Sequence, residues 1–149
     1  MRKFIAAVVF ALIALPGWAG EDIVKVKANG DVASTMDALE AAVTGAGATV
    51  FARVDHAGGA AKVDMELASS QVLIFGNPKL GTPIMQADPL AGLFLPLKVL
   101  VYEDSDGQTW LAYQTPQGLL RDLQDIPILE VSEKISGALA KLTEKASGM

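Results

Sequence analysis

FGNPKLGTPIMQADPLAGLFLPLKVLVYED, residues 75–104, is the run that decides how this chain folds. It opens on the end of an apolar stretch, Gln71-Val72-Leu73-Ile74-Phe75, and closes on another, Leu97 to Glu103. Both have the length and β-branched content of strands. The first is nearly all apolar and reads as a central strand covered on both faces. The link between them, Gly76 to Gly92, is 17 residues long, well beyond the roughly 2–6 residues usual for a connection. Thr82-Pro83 and Asp88-Pro89 each pair a capping oxygen with a proline at the first helical position. The link therefore reads as two short helical turns. Asp104-Ser105-Asp106-Gly107 then gives the turn of a hairpin, and Thr109 to Tyr113 reads as the returning strand.

Upstream, Ile23-Val24-Lys25-Val26-Lys27 alternates as a strand does. Asn29-Gly30 turns the chain, and Asp31 is placed to cap a helix. Val32, Met36, Leu39 and Val43 recur at helical spacing and make one apolar face, which Gly45 and Gly47 end. Ala48 to Val54 reads as the second strand, followed by the loop Asp55 to Gly59 and a weak helical segment carrying Ala61 and Met65. Downstream, Val131, Ile135, Ala138 and Leu142 make the buried stripe of a final helix. Glu130 and Lys134 form an i,i+4 pair in the favourable order, and Ala146 to Met149 reads as a fraying tail. Strand, helix, four strands, helix gives an α+β domain, β-α-β(4)-α, with a mainly antiparallel sheet and its helices packed on one face.

The N-terminus reads as a secretory leader over residues 1–19. Arg2 and Lys3 are its positive start, Phe4 to Leu15 its apolar run, and Gly17 and Ala19 the small residues for cleavage after Ala19. The run is too short to cross a bilayer, which needs about 20 residues. The expected product is a single domain over residues 20–149 in the periplasm or medium, with no stable membrane insertion after cleavage.

Losing Arg2 and Lys3 takes the net charge from −5 to −7. That balance, with no basic cluster, argues against nucleic acid and against binding to anionic lipid. The chain has no cysteine, which excludes disulfides, thiolate catalysis and cysteine-type metal sites. No serine nucleophile elbow, phosphate loop or paired-carboxylate motif is present. Glu103, Asp104 and Asp106 lack the further ligands of a calcium loop. Met36, Met65 and Met85 with His56 could suggest copper, but they are scattered, and methionine as core filler accounts for them better. No metal ligand, cofactor or catalytic residue is assigned.

The run 75–104 and the upstream Phe51-Ala52-Arg53-Val54-Asp55-His56-Ala57 resemble the family called domain of unknown function 302, over essentially the whole mature chain. The resemblance implies a β-α-β(4)-α fold and a homodimer, and brings no established activity.

The candidate ligand-binding residues are His56, Asn77, Lys79, Thr82, Gln86 and Asp88. His56 is the only histidine and stands where a strand gives way to a glycine-rich loop, as a proton shuttle or hydrogen-bond partner would. The other five line the 76–92 link, where turn chemistry already accounts for Thr82 and Asp88 but less well for Lys79 and Gln86. Trp110, Tyr113 and Tyr102 could floor an apolar pocket, though core or interface roles are commoner. The first functional reading is a module binding a small apolar or anionic molecule at the 76–92 loop. The alternatives are a homodimeric protein-interaction domain and an enzyme using His56 as general acid or base.

Overall fold

A computed structural model describes residues 22–123 and 128–149. The leader expected at residues 1–19 lies outside them. The chain runs β1 (Ile23–Lys27), α1 (Val32–Gly45), β2 (Thr49–Asp55), α2 (His56–Ala61), β3 (Ser70–Gly76), α3 (Pro78–Ala87), α4 (Ala91–Phe94), β4 (Leu97–Glu103), β5 (Thr109–Gln114), α5 (Pro116–Leu119) and α6 (Ile128–Ser147). Its five strands form one sheet in the order β1-β5-β4-β3-β2, and every adjacent pair is antiparallel. This is the α+β architecture expected, with α1 carrying the chain from one edge of the sheet to the other.

Apart from an irregularity in β2 between Val50 and Ala52, the sheet alternates because only one of its faces is covered. Leu73, Phe75, Val99, Val101, Leu111 and Tyr113 point inward and are buried. They meet Met36, Leu39 and Val43 of α1 and Ile135 and Leu139 of α6 in one core. α1 and α6 pack on each other as well as on the sheet. Asp31 caps α1, accepting from the Ser34 N–H at 2.8 Å. Asp104 holds the β4–β5 turn, accepting from the backbone N–H groups of Asp106 at 3.0 Å and Gln108 at 2.9 Å. Gly107 supplies the positive φ of +76° that this turn requires.

Four local expectations are corrected. The 76–92 link leads through two short helices as expected, and Asp88 starts the second turn, accepting from the Leu90 N–H at 2.9 Å, but Thr82 does not cap the first. α3 runs through Pro83, and its cap is Asn77, whose Oδ1 accepts from the Lys79 N–H at 3.0 Å. Pro83 is the sixth of the ten residues of α3, past its first turn, so the helix forgoes the one bond that an N–H at this position would have made. The C-terminus does not fray at Ala146. α6 continues to Ser147 because Ala146 and Ser147 are buried, and the Ser147 carbonyl accepts from the Asn29 N–H at 2.9 Å. The buried stripe of α6 runs through Ser132, Ile135, Leu139, Thr143 and Ala146, leaving Ala138 exposed. Reading apolar residues alone hid the two hydroxyls in it. Finally, β3 is covered on one face only, since Val72 and Ile74 on the other are half-buried.

Candidate functional site

The uncovered face of the sheet can be assembled rung by rung from the strand register. Lys25 lies opposite Ala112, Ala112 opposite Leu100, Leu100 opposite Val72, and Val72 opposite Val54. On one side of this rung runs Lys27, Trp110 and Tyr102. On the other side lie Ile23 beside Gln114 and Lys98 beside Ile74. The face is apolar at its centre, and Lys25, Lys27 and Lys98 are its charged strand residues. No strand carboxylate faces the same way. One carboxylate reaches the face from its hairpin end: Asp104, in the β4–β5 turn, accepts from the Trp110 indole and feels the charge of Lys25.

A concavity of about 380 Å³ includes Lys25, Val72, Lys98, Leu100, Tyr102 and Ala112 in its lining. Its floor is low at Ala112, where a methyl group stands between the larger Leu100 and Trp110. The lining continues to Phe94 of α4 and Leu97, just past the 76–92 link, and on the helix side to Tyr113, Leu119 and Leu139. The volume falls within the roughly 300–1,000 Å³ of small-molecule sites.

Electrostatics and hydrogen bonds fix the hairpin end of this face. The Trp110 indole N–H donates to Asp104 Oδ2 at 2.7 Å. The Gln108 backbone N–H, helped by the Trp110 side chain, the Asp106 N–H and the charge of Lys25, holds the Asp104 carboxyl below its ordinary range. On the helix side, burial pushes the Tyr113 phenol up, and a hydrogen bond with Thr143 partly offsets this. Of the three aromatics considered as a pocket floor, Tyr102 and Trp110 share the open face. Tyr113 is buried on the helix side, yet it and Tyr102 both line the concavity, whereas Trp110 does not.

The structure brings only some of the sequence-derived candidates together. Asn77, Lys79, Thr82, Gln86 and Asp88 all lie on α3 or its ends. Asn77 is the cap, Lys79, Thr82 and Gln86 are exposed, and Asp88 Oδ1 accepts from the Leu90 N–H at 2.9 Å. His56 opens α2 after Asp55, whose Oδ1 accepts from the Gly58 N–H at 2.9 Å. Asp55 pairs with Gln71, whereas Thr49 pairs with Gly76. His56 and Asn77 thus stand at opposite ends of β3, about 17 Å apart along the strand. None of the six lines the 380 Å³ concavity. The residues that do were legible only as strand alternation: a period of two in Ile23–Lys27, and the small Ala112 amid larger neighbours. Among the described residues no group of three or more His, Asp or Glu side chains could hold a metal.

A one-layer antiparallel sheet with two helices on one face and an open, lysine-bearing face on the other defines the class of this protein. Within it, residues 24–142 match the model of DUF302, a domain of unknown function, and the chain belongs to that family. A crystal structure of an uncharacterized conserved DUF302 protein from Bacillus stearothermophilus superposes with a TM-score of 0.78 at 20% identity, covering 85% of this chain and 98% of that one. At that identity it shows the fold alone. The chain is also 38% identical over 97 residues to fluoride-specific ion channel FluC 1 of Brucella suis biovar 1, a match covering 65% of this chain and 38% of the relative. The same identity and length of match hold for FluC 1 of Brucella abortus biovar 1, of which 36% is covered. The chain thus spans little more than a third of the length of these relatives.

Proposed function

We propose that this chain is a small-molecule binding module working outside the cytoplasm, and that it takes an amphipathic anion on the open face of its sheet. One observation carries the reading: the uncovered apolar rungs around Ala112 bear lysines and no strand carboxylate. Lys25 and Lys98 are placed to meet an acidic head, while Leu100, Val72 and Tyr102 offer surface to an apolar body. Burying such a body gains roughly 25 cal/mol per Å² of apolar surface. This moves the site from the 76–92 loop to the neighbouring sheet face, where Phe94 of α4, just past that loop, stands at the margin. A homodimer formed face to face would set these lysines against their own copies, which is unfavourable, so the charge pattern favours an anionic ligand there over a second copy.

The test is native mass spectrometry of protein exported with its own leader, before and after adding dodecanoate. The expected result is an adduct lost on denaturation, or one acquired with dodecanoate and abolished by Ala112→Phe. Absence of both overturns the reading. The denatured mass also tests cleavage after Ala19.

The Brucella relatives favour a second reading, in which the domain serves a membrane ion channel. A channel has to cross a bilayer, and no helix among the described residues here is long and apolar enough to do so. On this reading the shared segment lies outside the pore in those proteins, and this chain supplies the same accessory domain. Crosslinking to a FluC channel in native membranes tests it. A crosslink that excess unlabelled domain competes away is expected, and its absence counts against the reading.

A further inference from the structure

The concavity beside Ala112 does not stop at the open face. The β4–β5 ladder ends at the Leu100–Ala112 rung, although β4 starts at Leu97 and β5 runs on to Gln114. Over that stretch each strand stays paired with its outer neighbour. Leu97 lies opposite Phe75 of β3, and Gln114 opposite Ile23 of β1. The facing edges of residues 97–99 and 113–114 carry no rung between them. The two strands therefore part at this end and leave a cleft in the sheet.

The lining of the 380 Å³ concavity follows from this parting. Lys25, Lys98 and Ala112 border it on the open face, and Tyr113, Leu119 of α5 and Leu139 of α6 border it on the helix side. Side chains of opposite faces share one space only where the strands are not laced together. Tyr113 is 8% exposed and Leu139 1%, so the inner end is closed by the core. The cleft thus runs from a cationic mouth to an apolar inner end.

We infer that the ligand is an unbranched, single-chain amphipathic anion whose tail passes between β4 and β5. Its acid stays at the mouth by Lys25 and Lys98, its first carbons lie over Ala112, and its tail ends against Leu119 and Leu139. This rests on the anion-binding reading of the sheet face and adds the ligand's shape to it. The cleft narrows toward Leu100–Ala112, where the strands regain the ladder spacing of about 4.8 Å. A slender chain fits such a wedge, and a rigid fused-ring body does not. A tail laid on the open face keeps one side in water, whereas a tail in the cleft is covered all round, so more apolar surface leaves water.

The experiment is isotope-filtered nuclear Overhauser spectroscopy of labelled, exported wild type with dodecanoate. The terminal methyl of the ligand is expected to contact the methyls of Leu119 and Leu139, and the methylene beside its carboxylate the methyl of Ala112. Terminal-methyl contacts with Val72 and Tyr102, and none with Leu119 or Leu139, would overturn the threaded tail and leave a site on the open face standing. No binding of dodecanoate at all overturns the sheet-face reading and the threaded tail with it. Two affinities test the shape. Deoxycholate, a rigid fused-ring carboxylate, is expected to bind at least about tenfold more weakly than dodecanoate. Deoxycholate binding as tight as that of dodecanoate overturns the proposal, since a larger apolar body gains more on an open face. Leu119→Trp fills the inner end from a half-buried position and is expected to raise the dodecanoate Kd roughly tenfold. Wild-type affinity in a Leu119→Trp protein with unchanged circular dichroism also overturns it. Should that variant fail to fold, the contacts in wild type decide.

Discussion

Lys25 and Ala112 are direct partners across the β1–β5 ladder, so a flexible cation stands beside the lowest point of an uncovered apolar sheet face. On the proposed function, this pairing ties the two halves of an amphipathic site to one rung. Ala112 leaves room for an apolar body, and Lys25 offers charge to its head.

Filling the room should abolish binding without harming the fold. Ala112→Phe projects a ring into the space between Leu100 and Trp110, and aromatic residues suit a strand at this kind of half-covered position. Thermal stability is expected to stay within about 0.5 kcal/mol of wild type, as for most surface changes. Dodecanoate binding, followed by Trp110 emission, is expected to disappear. In protein cleaved after Ala19 Trp110 is a clean reporter, since Trp18, the chain's other tryptophan, is then gone.

Removing the charge should weaken binding moderately. Lys25→Gln and Lys98→Gln are each expected to raise the Kd for dodecanoate by roughly two- to fivefold, the size of an exposed ion pair. The salt dependence of binding should fall in parallel. An uncharged dodecanol probe should be indifferent to both changes, which isothermal titration can establish.

The hairpin end supplies a pH prediction. The Asp104 carboxyl is held below its ordinary range, first by the Gln108 N–H and then by Trp110. The folded pKa lies under the unfolded one, so its contribution to stability is present above the unfolded value. It is lost as pH falls through the folded value. Denaturant titrations below about pH 4 should show wild type losing stability more steeply than Asp104→Asn. Trp110 emission should shift in the same window as its indole N–H loses an ionised acceptor.

Helix α6 carries two kinds of buried hydroxyl, and they should respond oppositely. Thr143 Oγ1 donates to the Leu139 carbonyl at 2.8 Å and also serves Tyr113. Thr143→Val is expected to cost about 1–3 kcal/mol by leaving the Tyr113 hydroxyl poorly satisfied. Ser132 Oγ is buried without a partner. Ser132→Ala is expected to gain roughly 1 kcal/mol, from removing an unpaired polar group and from higher helix propensity. Urea unfolding measures both.

Capping in the 76–92 segment distinguishes two readings of one sequence. Asn77→Ala is expected to cost about 1 kcal/mol, and Thr82→Ala close to nothing, because Asn77 rather than Thr82 accepts from the first turn of α3.

Much of this fold was legible in the sequence because its signals are local. Val32, Met36, Leu39 and Val43 announce α1 by spacing, and Asp104 to Gly107 announce the hairpin by turn chemistry. The run 75–104 carries the family resemblance. What was not legible depends on partners distant in the chain. Nothing near Ala146 says that Asn29 will bond the Ser147 carbonyl. Nothing within Gln71–Phe75 says that the sheet lacks a second layer, so Val72 and Ile74 read as core. The proposed sheet-face site was hidden for the same reason. Lys25, Lys98 and Ala112 come from three strands, and only the register sets them side by side. The polar residues of the 76–92 link drew attention because they are conspicuous together, yet Asn77 and Asp88 are occupied by backbone N–H groups. His56 stands at the far end of β3.

The most direct test is a two-dimensional NMR titration of isotope-labelled mature protein with dodecanoate. Shift changes are expected at Lys25, Val72, Lys98, Leu100, Tyr102 and Ala112 and at the Trp110 indole, with little change at His56. Changes confined to Asn77–Asp88, to His56 or to the helix side of the sheet, with the Ala112 rung unmoved, would contradict a ligand site on the open face.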